Sequence, residues 1–172
     1  MANRKSQIAN RKSQIILGVD PGLADIGFAI IEKQGGLLKA IDYGRVKTSA
    51  SSPTQVRLKE IHQNLNKLIK KHKPQIIGVE KLFFAKNSKT ALKVGEARGV
   101  IMLLAGENKL TLKEFTPLQV KMALTGYGQA SKNQIKQMVK AVLGLPGLPK
   151  SDDAADALAV AICCANSLTN ES

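Results

Sequence analysis

Aromatic side chains are scarce in this chain: four Phe, two Tyr and no Trp among 172 residues. Proteins that coat single strands stack successive bases on aromatic platforms, and that mode is excluded as the main one here. Cysteine is as sparse. The two present, Cys163 and Cys164, are adjacent, which is poor geometry for a disulfide. No second cysteine pair and no nearby histidine completes a zinc set. Both read as small buried apolar residues, in keeping with a reducing, cytoplasmic address. No apolar run reaches the roughly 18 residues of a membrane span. The charged N-terminus lacks the apolar core of a secretory signal. Acid is the last scarcity: 13 Asp and Glu stand against 26 Lys and Arg, a formal net charge of +13. Such a surplus calls for a polyanionic partner. The apolar fraction of 44% belongs to a globular domain rather than a disordered basic tail.

The chain divides unevenly. Ala2–Ile8 (Ala-Asn-Arg-Lys-Ser-Gln-Ile) is repeated without change as Ala9–Ile15. Residues 1–14 are expected to be a disordered basic tail, residues 15–168 one domain, and residues 169–172 a short C-terminal tail. The repeat holds four of the 26 basic residues, so the domain without it still carries +9. Apolar runs bounded by turn signals predict strands over 15–20, 28–32, 37–46, 75–80 and 111–115. Gly35-Gly36 is expected to close a hairpin. Helical spacing predicts helices over 54–72, 88–106, 117–124, 132–143 and 152–168, with Ser131 and either Ser151 or Asp152 as N-caps. Strands alternating with helices imply an α/β layered domain. His62 and His72 fall on a Lys-rich helix and read as a solvated face.

In so basic a chain the placement of carboxylates is informative. Asp20 and Glu80 each end an apolar strand, and ligands in open α/β sheets collect at the carboxyl ends of strands. Asp153 and Asp156 lie three residues apart on one face of the last helix, among Ala154, Ala155, Ala157 and Ala159. Asp152 and Asp156 form a competing pair. Taken singly, an Asp before Pro-Gly is a turn residue and an Asp at a helix start is a cap. Gathered together they would repel one another, a conflict that divalent cations remove. An all-oxygen ligand set selects Mg²⁺, with Mn²⁺ able to substitute. Two such ions, about 4 Å apart, suit phosphoryl displacement.

Four segments carry a resemblance to a known family. Gly18-Val19-Asp20-Pro21-Gly22 with Gly27, Gly78–Asn87 (Gly-Val-Glu-Lys-Leu-Phe-Phe-Ala-Lys-Asn), Ala91–Gly99 and Asp153-Ala154-Ala155-Asp156-Ala157-Leu158-Ala159 are similar, in order and spacing, to motifs of the RuvC-type Holliday junction resolvases. The resemblance implies an RNase H-like fold, a mixed five-stranded sheet flanked by helices. It implies a homodimer that nicks two opposed strands of a four-way DNA junction during recombination and repair, with two Mg²⁺ per active site. It implies Asp20, Glu80, Asp153 and Asp156 as catalytic metal ligands, which leaves Asp152 as a cap. Phe83 matches an aromatic that stacks on a base near the junction centre, and Phe84 is left to the core or an interface. Lys121 and Lys132 match basic residues near the scissile phosphate, and Lys86 joins them as a DNA contact. A branch-migration complex of the RuvAB kind is the implied protein partner; a membrane is not.

The helix over 91–104 is apolar on more sides than one sheet can cover, and a twofold partner is the simplest cover. Three rivals stand beside this reading. They are an RNase H-like nuclease acting on structured RNA, a non-catalytic junction-binding module, and a superfamily ATPase, for which the chain is too short.

Overall fold

The computed structural model describes residues 13–81 and 88–168, the side chains of residues 88–90 excepted. The N-terminal repeat up to Lys12, Phe83, Phe84, Lys86 and the C-terminal tail lie outside the described residues. The elements are β1 (Gln14–Asp20), β2 (Asp25–Gln34), β3 (Leu37–Lys47), α1 (Thr54–His72), β4 (Ile76–Glu80), α2 (Ser88–Glu107), β5 (Thr111–Phe115), α3 (Pro117–Thr125), α4 (Lys132–Leu143) and α5 (Asp152–Ser167). β1 begins at Gln14, one residue into the stretch expected as tail.

The five strands form one sheet in the order β3-β2-β1-β4-β5. β1 to β3 are an antiparallel meander, and β4 and β5 add in parallel. This is the mixed sheet flanked by helices that the resemblance implied. Gly35 turns the β2–β3 hairpin in the left-handed region, at φ 62°.

Alternation along the strands sorts the residues to two faces. Ile16, Ala29, Ile31 and Ile76 join α3, α4 and α5 in one core. Leu17, Val19, Ile26, Ile30, Ile77 and Val79 join α1 and α2 in the other. Cys163 and Cys164 are free and buried in α5, as expected. α5 lies very close to the sheet because glycines face it. A Cβ on Gly18 would sit 2.7 Å from the Ala161 Cβ, and one on Gly27 would collide with the Asp153 carbonyl.

The expectation of a solvated face holds for one histidine only. The His72 side chain is 10% exposed, with Nε2 3.1 Å from Asp42 on β3. The sequence spacing could not show that β3 folds back over the end of α1. His62 Nε2 lies 2.9 Å from Glu107, pairing α1 with α2.

Candidate active site

Period-two alternation decides where the strand-end carboxylates stand. Gly18 and Gly78 face α5, so Asp20 and Glu80, two residues on, face it too. β1 and β4 are parallel neighbours with Val19 opposite Val79, which sets Asp20 and Glu80 side by side at one sheet edge. α5 starts over that edge. Its N-cap is Ser151, whose side chain accepts from the Ala154 N–H. The reading of Asp152 as the cap is therefore corrected: Asp152 is the first helical residue. It is exposed and its Oδ1 lies 2.5 Å from Lys136 Nζ. That ion pair holds its carboxyl below the usual range.

The four predicted acids are electrostatically one cluster. Burial pushes the Asp20 carboxyl up to about 7, with Asp156, Glu80 and Asp153 adding repulsion. Burial also raises Glu80, helped by Asp156 and opposed by Lys121 and Lys132. Asp156 is raised by burial against the pull of Lys132. Lys132 opens α4 after the Ser131 cap, and Asp156 in turn raises its ammonium above the usual lysine value. A cleft of about 250 Å³ lies between Glu80, Lys121, Lys132 and Asp156, over Val120, Ile135 and Ala159.

Two cations stand against this cluster. Lys132 Nζ is 4.0 Å from Asp156 Oδ2, and an Arg45 guanidinium nitrogen is 3.8 Å from Asp153 Oδ2. As the side chains stand, no three acidic, His or Cys groups among the described residues close on a common point to hold an ion. The coupling between all four acids and the chemistry of the donors nevertheless suit a hard divalent cation. Each donor is a carboxylate, and three of them are driven toward protonation by burial and mutual repulsion.

Arg45 and Lys136 were not singled out from the sequence. Arg45 also lies 3.5 Å from Asp25, whose Oδ1 is buried without a hydrogen bond of good geometry. A third unforeseen group is Arg57, 9% exposed. Its Nε donates to Thr48 Oγ1 at 2.8 Å, and Thr48 Oγ1 donates to the Leu23 carbonyl at 2.6 Å. This chain ties α1 to the turn that follows Asp20. Lys81 is exposed, and its N–H donates to the Phe115 carbonyl, which fixes the exit of β4.

Residues 16–164 match the family model described as Crossover junction endodeoxyribonuclease RuvC. The chain belongs to the RuvC family. Crossover junction endodeoxyribonuclease RuvC of Halothermothrix orenii is 54% identical over 153 residues, covering 89% of this chain and 93% of that protein. The RuvC of Caldicellulosiruptor saccharolyticus is 53% identical over 149 residues, covering 86% and 90%. Among solved structures, the Thermus thermophilus RuvC in complex with Holliday junction substrate aligns with TM-score 0.84 and 32% identity, over 87% of this chain and 92% of that one. The yeast mitochondrial Holliday junction resolvase, at 14% identity and TM-score 0.65 over 95% of this chain and 85% of that one, shares the RNase H-like fold. Membership of the RuvC family implies dependence on a divalent metal. No described helix is long and apolar enough to cross a membrane.

Proposed function

We infer that this RuvC-family chain is a homodimeric endodeoxyribonuclease that resolves four-way DNA junctions by paired nicks in opposed strands. The observation that carries the inference is the side-by-side placement of Asp20 and Glu80 beneath the Asp153 and Asp156 face of α5, within a family of crossover junction nucleases. Asp20, Glu80, Asp153 and Asp156 are the proposed metal ligands, for two Mg²⁺ or Mn²⁺ ions. Bound there, the metal supplies activation of the attacking water and support for the departing 3′ oxygen.

The chain's own groups do the rest. Lys121 and Lys132 line the cleft on the side of Glu80 and Asp156, where they attract and orient the scissile phosphate. Asp152, at the start of α5 and itself paired with Lys136 of α4, holds Lys132 in place. Phe83, in the segment directly after β4, stacks on a base near the junction centre, and Lys86 contacts the DNA. Selectivity comes from the shape of the branch, and affinity from the phosphates.

The dimer is built on α2. Leu92 and Leu103 are 67% and 55% exposed on a helix whose other side is in the core, and burying them against a twofold copy removes that apolar surface from water. The two sites then face opposed strands of a twofold junction. The dimer docks on a branch-migration complex of the RuvAB kind, in the cytoplasm.

The test is cleavage of a synthetic four-way junction with Mg²⁺, with nicks mapped on all four strands, beside an RNA duplex. Paired nicks in opposed DNA strands, with the RNA left intact, are expected. Cutting of the RNA alone would replace this reading with the structured-RNA one. Light scattering at micromolar concentration should give a dimer; a monomer would overturn the α2 interface.

A further inference from the structure

The chain holds more positive charge than its cleft uses. The sheet ends at β3, an 11-residue edge strand. A second groove, of about 470 Å³, runs between this edge and α1. Its walls carry Arg45, Lys47, Lys67 and Lys71, and apolar side chains, Phe28 and Leu68 among them, line it between these cations. Lys67 and Lys71 are one helical turn apart and share a face of α1. Lys47 and Lys67 have no acidic partner among the described residues. Lys71 approaches Asp42 at 3.4 Å, but its side chain is 67% exposed, so the pair is weak.

The groove connects with the catalytic cluster through Arg45. The β2–β3 pairing slips by one residue between Ile30 and Ile31, leaving Ile41 unpaired and setting Arg45 opposite Gly27. Gly27 touches the start of α5, so the bulge delivers Arg45 to Asp153. Arg45 thus lines the groove, and on the α5 side of the same edge strand its guanidinium meets the rim of the active site. From Asp42, beside Lys71, to Arg45 the strand advances roughly 10 Å. A run of that length is enough to meet more than one phosphate of a DNA strand, whose charges follow at a regular spacing. α2, the helix assigned to the dimer, packs against β5 at the opposite edge of the sheet from β3.

We propose that this edge groove is a second DNA-backbone site, which holds consecutive phosphates of a junction arm leaving the catalytic cleft past Arg45. The proposal rests on the junction-cleaving function above. Cations spaced along a groove match a polyanion of regular repeat, and the apolar lining accepts the deoxyribose faces between phosphates. An acidic peptide would also meet the charge. The Arg45–Asp153 pair, which ties this edge to the active-site rim, favours DNA.

The test uses the full-length dimer and two double variants. Lys67→Gln with Lys71→Gln removes groove charge without touching the cleft. Lys39→Gln with Lys59→Gln removes two exposed charges on the same two elements outside the groove. Binding to a labelled four-way junction and to a linear duplex is titrated without divalent metal across a range of KCl concentrations. The groove variant should lose about tenfold in affinity for both DNAs, and its dependence of log K on log salt should flatten by about 2, near 0.9 per phosphate contact. The control pair should change less than about twofold. Single-turnover cleavage at saturating enzyme should match the unmodified protein. A groove variant with unaltered affinity and salt slope, or one no weaker than the control pair, overturns the groove. If the unmodified protein cuts no junction, the function above fails instead, and the linear-duplex titrations still decide the groove.

Discussion

The two faces of the sheet solve different problems. On the α1 and α2 face the strands offer Leu17, Val19, Ile26 and Ile30 to Ile61, Leu65, Ile101 and Leu104, all fully buried. Bulky side chains there keep the helices well off the strands. Where α5 crosses the sheet, Gly18, Gly27 and Gly78 meet Ala157, Ala161, Cys164 and the Asp153 carbonyl. Backbone nearly touches backbone. The first face supplies stability through volume. The second gives up volume for proximity, and it is the face that carries all four carboxylates. Short side chains such as Asp can reach a shared point only where the main chains come this close.

Substitutions that exchange the character of the two faces should separate them. Gly27→Val drives a side chain into the Asp153 carbonyl, and overpacking that only backbone movement can relieve should cost more than about 4 kcal/mol, at the upper end of such effects. The expected readouts are a collapse of the thermal midpoint and loss of cleavage together. Leu65→Ala on the other face should cost about 2–5 kcal/mol in a denaturant titration. Below its midpoint this variant should retain metal-dependent cleavage, because α5 and the strand ends are untouched.

Charge gives a subtler contrast. The Asp20 carboxyl is raised from 3.8 to about 7 in the folded chain, so the folded state holds its proton more tightly than the unfolded state does. Stability from this source is complete below the unfolded value and is lost as pH rises from about 4 to about 7. Without metal, Asp20→Asn should therefore stabilise the protein by on the order of 1–3 kcal/mol near pH 8, allowing for solvent screening, and little near pH 4. Melting curves in chelator at the two pH values check this. An equal shift at both would show that the buried charge at Asp20 is not the cause. The smallest effect expected is that of Ser151→Ala, which removes the cap of α5 and should cost about 1 kcal/mol. It should lower metal affinity more than its stability cost suggests, because Asp153 and Asp156 ride on that first turn.

The α5 face was the more legible of the two. Every strand and helix was marked by its apolar period and its turn or cap residues, within a few residues at the ends. The carboxylates stood out because acid is rare here and these four end apolar strands or open an alanine-rich helix. Arg45 was hidden by a single backbone irregularity. Counting from the Gly35-Gly36 turn in strict register places Gly44 opposite Gly27 and sends Arg45 to the α1 face. The bulge at Ile41 adds one residue and reverses both assignments. The burial of His72 and Arg57 was equally unreadable, since both depend on loops and edges folding back over α1 rather than on any local period. Asp152 beside Ser151 offered two plausible caps, and only the backbone geometry of α5 chose between them.

The four acids on the α5 face are proposed to form one divalent-metal centre. Calorimetric titration of Mg²⁺ and Mn²⁺ into the unmodified protein and into Asp156→Asn, at about pH 6 and about pH 8, tests it without recourse to activity. The unmodified protein should bind more tightly at the higher pH and release protons on binding, because the ion competes with the proton on Asp20. Asp156→Asn should lose at least about tenfold in affinity. Binding that is independent of pH and equal in the two proteins would contradict the assignment.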